Sequence, residues 1–302
     1  MRKIPYVQTS VFVDDRYSFT GNQLATYWNE EANSNLSKEE MQGMALEMNF
    51  SESTFLFDST LKECQFRVRI FTPGNELDFA GHPTLGTSHV IKYKKLILNN
   101  SKQITLELGI GPIEVEYNDD DSISMIQPEP QYLEIFKDKE AIADILGIEP
   151  SDILNEYPIQ VVTTGFPFLI VPLDSMKSIT KIKLDVPLLL SLLEDFVTSK
   201  LLVYTKETIH NDSHVHVRMF APSVGVLEDP ATGSAAGPLG AYLEKYNVIK
   251  NHQAGTFYHF EQGFEIKRPS RLNVKCLYTN NTISNVIVNG KTRVMAEGEF
   301  YL

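Results

Sequence analysis

Short runs in which apolar and polar residues alternate dominate this chain, and they predict a protein rich in β-strands. In the first half the runs are Tyr6 to Val13, Leu24 to Trp28, Phe50 to Phe57, Cys64 to Phe71, Ile104 to Leu108, Ile113 to Tyr117 and a strand through Met125. In the second half they are Ile159 to Thr163, Phe168 to Pro172, Leu201 to Thr205 and His214 to Phe220, with β-rich sequence to the end. A hairpin turn is expected at Asn289-Gly290, between Val286-Ile287-Val288 and Thr292-Arg293-Val294. Helical spacing is rarer. Ser37 and Glu40 form a capping box ahead of a helix with Met41, Met44, Ala45 and Met48 on one face, a stripe read as core packing. Further helices are predicted over Lys139 to Leu146 and around Val186 to Phe196, and Pro128-Glu129-Pro130 reads as a linker.

One pattern occurs twice. Strand Phe66 to Ile70, the loop Phe71 to Gly86 and the helical run Thr87 to Lys95 are echoed by Val215 to Met219, Phe220 to Gly233 and Ser234 to Tyr246. A two-residue gap lays His82-Pro83 on Asp229-Pro230. In the second helix Ala235, Ala236, Leu239, Ala241 and Leu243 leave little polar face, so it should be buried. The expected architecture is α+β, with two pseudo-symmetric domains, each a barrel-like mixed β-sheet wrapped around a central helix. The expected domains are 1–127 and 128–287, with the last strand, about 288–302, returning to the first and a site between the two.

Composition narrows the partners. A chain of 302 residues is long enough for two domains. A net charge of −12 and the absence of any strong Lys/Arg cluster argue against nucleic acid and anionic membrane. No apolar run is long enough to span a bilayer, and Met1 to Val7 lacks the apolar core of a signal peptide. Two cysteines, Cys64 and Cys276, are too few for a disulfide framework and read as reduced thiols. The expected location is cytoplasmic.

The loops carry the candidate chemistry. Pro83 and Pro230 are expected at first helical positions, which would put His82 and Asp229 at the caps. For Asp229 the plain alternative is a helix N-cap contributing about 1 kcal/mol. For Ser234, just after Gly233, it is a bond to its own backbone. Small residues at Ala80-Gly81 let the backbone approach a ligand closely. If the halves face each other, two helix N-termini with free N–H groups make an anion site suited to a small carboxylate. Glu52 opens its strand between two serines. Its plain reading is a solvated strand end, but a carboxylate in a closed pocket can take up and return a proton near neutrality. No Walker A loop, dinucleotide fingerprint, nucleophile elbow or metal-spaced His/Cys cluster is present. His214 and His216 share a strand face with no carboxylate motif to complete a metal site.

These residues resemble the phenazine-biosynthesis-like (PhzF-like) isomerases, which share the diaminopimelate epimerase fold. The resemblance covers essentially the whole chain. It rests on Thr20-Gly21-Asn22, Asn49 to Phe55, Arg69 to Gly86, Glu228 to Ala235, Gln262-Gly263 and Arg268-Pro269-Ser270. It implies an active site between two domains, catalysis without cofactor or metal, and a homodimer. It also implies that Glu52 is the acid/base moving a proton within a dihydro-hydroxyanthranilate-type substrate. His82, Asp229 and Ser234 would line the site, Gly81 and Gly233 would donate backbone N–H groups, and Asn22 would contact the substrate. Related epimerases and racemases use two opposed cysteines, one per loop, and neither Cys64 nor Cys276 falls in these loops. The expected function is therefore an isomerase shifting a proton between carbons of a small carboxylate-bearing molecule. The rivals are a binding protein without turnover and an amino-acid epimerase or racemase lacking the cysteine pair.

Overall fold

The structure, a computed structural model, describes residues 1–28, 35–98 and 100–302. They divide into two units, Met1–Ile126 with Asn289–Leu302, and Gln127–Val288.

In the first unit, β1 (Lys3–Val11) pairs antiparallel with β2 (Asn22–Tyr27). Helix α1 (Lys38–Met48) follows, held at its start by the expected capping box of Ser37 and Glu40. Met41, Met44 and Ala45 pack into a core with Ile4, Ala25, Tyr27, Phe55 and Phe71, so the methionine stripe is core packing. Strand β3 (Glu52–Asp58) lies parallel to β2 and antiparallel to β4 (Phe66–Phe71), onto whose end β5 (Glu76–Leu77) folds back. Helix α2 (Gly81–Tyr93) leads to β6 (Gln103–Leu108), β7 (Gly111–Tyr117) and β8 (Ser122–Gln127). Strand β6 is parallel to β4, β7 pairs with β6, and β8 pairs with β7. The chain's final strand, Thr282–Tyr301, pairs with both β1 and β8 and so closes an eight-stranded barrel. Nearly all of α2 is buried, as a helix enclosed by its own sheet must be.

The second unit repeats this order. Strand β9 (Gln131–Ile135) precedes α3 (Lys139–Leu146) and pairs with β10 (Gln160–Thr163), which pairs with β11 (Pro167–Pro172). Two short helices, α4 (Met176–Thr180) and α5 (Val186–Leu192), lead to β12 (Leu201–Thr205), parallel to β11. Then come β13 (Val215–Ala221), the fold-back strand β14 (Val226–Asp229) and the buried helix α6 (Gly233–Lys245). Strand β15 (Tyr258–Gln262) is parallel to β13, and β16 (Ser270–Thr279) joins it to the final strand, β17.

The duplication reaches side chains that the loop repeat alone did not reveal. Arg69 on β4 makes a two-pronged bond to Glu76 on β5, and Arg218 on β13 does the same to Glu228 on β14. Glu107 on β6 accepts the backbone N–H groups of Thr60 and Leu61, as Glu261 on β15 accepts those of Ile209 and His210. Each carboxylate thereby satisfies a loop whose donors have no strand partner.

Two expectations are corrected. The hairpin at Asn289-Gly290 does not form, because β17 runs unbroken through both residues. Asn289 is instead buried, donating to the hydroxyls of Ser122 and Ser124, and a side chain at Gly290 would collide with the Phe12 ring. The turn lies upstream at Asn280-Asn281, both left-handed, with φ of 53° and 63°, as a two-residue primed turn requires. Helix α2 also begins at Gly81, so Pro83 is its third residue, and α6 begins at Gly233, leaving Pro230 outside any helix. The two helices therefore match from Gly81 and Gly233, and His82 corresponds to Ser234 rather than to Asp229.

His216 found the carboxylates that its own strand lacks. It is fully buried, with Nδ1 2.9 Å from Glu261 Oε1 and Nε2 2.9 Å from Glu265 Oε1. Burial opposes charging the ring, but the two carboxylates outweigh it and raise its pKa to about 9. A raised folded-state pKa stabilises fully below the unfolded value of about 6.5 and is lost as pH climbs through 9. The urea midpoint of the protein should fall between pH 6.5 and 9.5, by roughly 2 kcal/mol of unfolding free energy. A His216→Gln variant, less stable throughout, should lack that fall. A wild type equally stable at both pH values would refute the ion triad.

Candidate active site

In the first unit three element starts bring predicted residues together. Helix α1 is capped by Asn49 in the left-handed conformation, and three residues later the chain enters β3 at Glu52. The parallel pairing of β3 with β2 sets Glu52 opposite Leu24, close to Asn22 at the start of β2. Helix α2 contributes His82 as its second residue, after an N-cap, Ala80, whose side chain bonds nothing. His82 Nε2 lies 3.3 Å from Glu52 Oε2. On the other side of the ring, Asn22 Nδ2 lies 3.1 Å from His82 Nδ1, while Ser51 Oγ donates to Asn22 Oδ1 at 3.2 Å. The Glu52 side chain is 13% exposed and that of His82 5%, so neither is a solvated surface group.

Burial lowers the pKa of His82 to about 3, and the ring is neutral at any ordinary pH. Its place in the first turn, at the positive end of the helix dipole, disfavours the imidazolium further. Nδ1 lies against the Asn22 amide, and Nε2 approaches the Glu52 carboxylate without completing a hydrogen bond to it. A neutral imidazole in this place sets no positive charge beside the Glu52 carboxylate. Gly81 and His82 also present first-turn N–H groups that have no intrahelical acceptor.

In the second unit the predicted residues lie along one short segment. Asp229 is buried at the end of β14, opposite Met219. It is not a helix cap: that position belongs to Thr232, whose hydroxyl donates to Asp229 Oδ2 at 2.6 Å. Gly233 and Ser234 open α6 and repeat the first-turn geometry of Gly81 and His82. The Gly233 carbonyl accepts from the side chain of Gln127.

Sequence reasoning passed over Ser51, Thr232 and Gln262 as individual site residues. Their partners are Asn22 for Ser51 and the Asp229–Thr232 loop for the other two. All three lie in segments that carry the family resemblance, which named none of them for a role. Among the described residues no group of three or more His, Cys, Asp and Glu could hold a metal ion, and no helix could cross a membrane. Cys64 and Cys276 are free and buried, one just before β4 and the other within β16, and burial pushes the Cys276 thiol up to about 12.

A helix enclosed by a mixed sheet, built twice along one chain, is the diaminopimelate epimerase-like architecture. A probable proline racemase from Agrobacterium radiobacter shares this fold, with a TM-score of 0.66 at 8% identity over 99% of this chain and 93% of that one. A PhzF-family protein of Bacillus anthracis matches much more closely, with a TM-score of 0.89 and 28% identity over the whole of both chains. Residues 10–298 match the family described as phenazine biosynthesis-like protein, and the chain belongs to that family. A trans-2,3-dihydro-3-hydroxyanthranilate isomerase of Pseudomonas aeruginosa is 35% identical, over 98% of this chain and 99% of its own. An uncharacterized isomerase of Clostridium acetobutylicum is 31% identical, over 100% and 99% respectively. With these relatives, the chain is an isomerase.

Proposed function

We propose that this isomerase moves a proton between two carbons of a small carboxylate-bearing substrate, without a cofactor, using Glu52 as both base and acid. The observation that carries the reading is the 3.3 Å approach of a neutral, buried His82 to the Glu52 carboxylate. Glu52 takes a proton from a substrate carbon, and the electron pair left behind delocalises toward the substrate's electron-withdrawing group. The protonated Glu52 then delivers that proton to a second carbon on the same face. Atoms and charge balance with no external reactant, as an isomerisation requires. First-turn N–H groups would stabilise the anionic intermediate. Gly233 and Ser234 would bind the same substrate, supported by their match to Gly81 and His82 in the internal repeat, and Asp229 would join them, supported by the resemblance of the segment Glu228 to Ala235 to the family.

The name of the Pseudomonas aeruginosa relative makes trans-2,3-dihydro-3-hydroxyanthranilate the first substrate to test. Incubated with it in deuterated water, the protein should yield an isomer, or substrate with deuterium at carbon, in the proton NMR spectrum. Saturable binding with neither result would make the protein a carrier and sink the reading.

A further inference from the structure

The parallel registers align the two units residue by residue. Strand β4 meets β6 at Phe66–Leu106 and Arg67–Glu107, and β13 meets β15 at Val215–Phe260 and His216–Glu261. One residue further, Leu108 ends β6 where Gln262 ends β15. The next residues correspond as well: a side chain at Gly109 would collide with Asp78, and one at Gly263 with the Pro230 backbone. Counting forward to Gly81 and Gly233, the helix caps Ala80 and Thr232 match, and Leu77 matches Asp229.

One frame therefore holds two different sets of side chains. The first unit fills it with Leu77, Ala80 and Leu108, and the second with Asp229, Thr232 and Gln262. The second set is bonded throughout. The Gln262 amide donates to the Asp229 carbonyl at 2.8 Å and to Thr232 Oγ1 at 3.0 Å, while its oxygen accepts the Thr232 N–H at 3.2 Å. Because the Thr232 hydroxyl accepts from Gln262, its one proton is left for Asp229 Oδ2. Gln262 is buried, and apolar residues serve in the first unit, so the architecture does not demand a polar network that is costly to bury.

We infer that Gln262, acting through Thr232, is a positioning residue that aims the Asp229 carboxylate for the reaction. This rests on the reading above, in which Asp229 faces the substrate. Replacing Gln262 with Leu, the residue found at the matching place in the first unit, should lower kcat 10- to 100-fold on trans-2,3-dihydro-3-hydroxyanthranilate and leave KM within about threefold. Carbon-13 NMR of the Asp229 carboxyl gives a readout independent of any substrate. Without the aimed Thr232 proton the carboxylate loses a donor, and its titration should move up by half a pH unit or more. Thr232→Val, which removes the same proton without touching the strand end, should reproduce both effects. The double variant Asp229→Asn/Gln262→Leu should be no slower than Asp229→Asn alone. An unmoved Asp229 titration in both Gln262→Leu and Thr232→Val overturns the inference, as do multiplicative losses in the double variant. A fully active Asp229→Asn would instead overturn the role of Asp229 in the proposed reaction.

Discussion

Glu52→Gln should reduce turnover by at least a thousandfold while leaving the fold and ligand affinity nearly unchanged. The amide is isosteric and fills the same place beside His82 Nε2, 3.3 Å away. What it cannot do is take a proton from carbon, and general acid–base roles of this kind contribute factors of a hundred to ten thousand. Because Glu52 would act in both half-steps, neither half proceeds without it. Calorimetric titration with the substrate, beside the rate measurement, separates lost chemistry from lost binding. Turnover within tenfold of wild type would remove Glu52 from the mechanism.

Gly21→Val should cost about 5 kcal/mol, approaching the whole stability of a typical domain. Gly21 has a φ of 74°, a region that β-branched residues almost never adopt. Its added Cβ would also stand 2.5 Å from the Val11 carbonyl oxygen. That oxygen is backbone in a paired strand and cannot swing aside. Backbone strain and overpacking each contribute about 1–3 kcal/mol, and here both act. The residue following is Asn22, so any surviving folded protein should also have a displaced Asn22–His82 contact. Urea unfolding followed by circular dichroism measures the loss, and a midpoint within 1 M of wild type would contradict it.

Much of the fold was legible from local pattern. Alternation located most strands, and the Ser37 box fixed the start of α1. The asymmetry of helix ends misled where it was absent. Ala80 and Thr232 make no side-chain bond to the helices they cap, and the prolines drew attention to the wrong residues. At Asn289-Gly290 the strongest hairpin dipeptide was overridden by burial against Phe12 and the serines of β8. Of the candidate site, Glu52 and His82 were named from the chain and Asn22 from the family resemblance, and the three lie together in the first unit. The pairing of His216 with Glu261 and Glu265, and of Gln262 with Asp229, joins residues more than thirty apart, and no local periodicity records it.

The last strand has a consequence for the order of events during synthesis. Lys3 pairs with Tyr301, so β1 waits for a neighbour made after every other strand of the two units. Residues 127–288 can fold while the earlier unit still has an open edge, inverting the usual order in which N-terminal domains fold first. A nascent chain stopped short of Asn289 would carry a finished second unit and a first unit with the unpaired edges of β1 and β8 exposed to other strands.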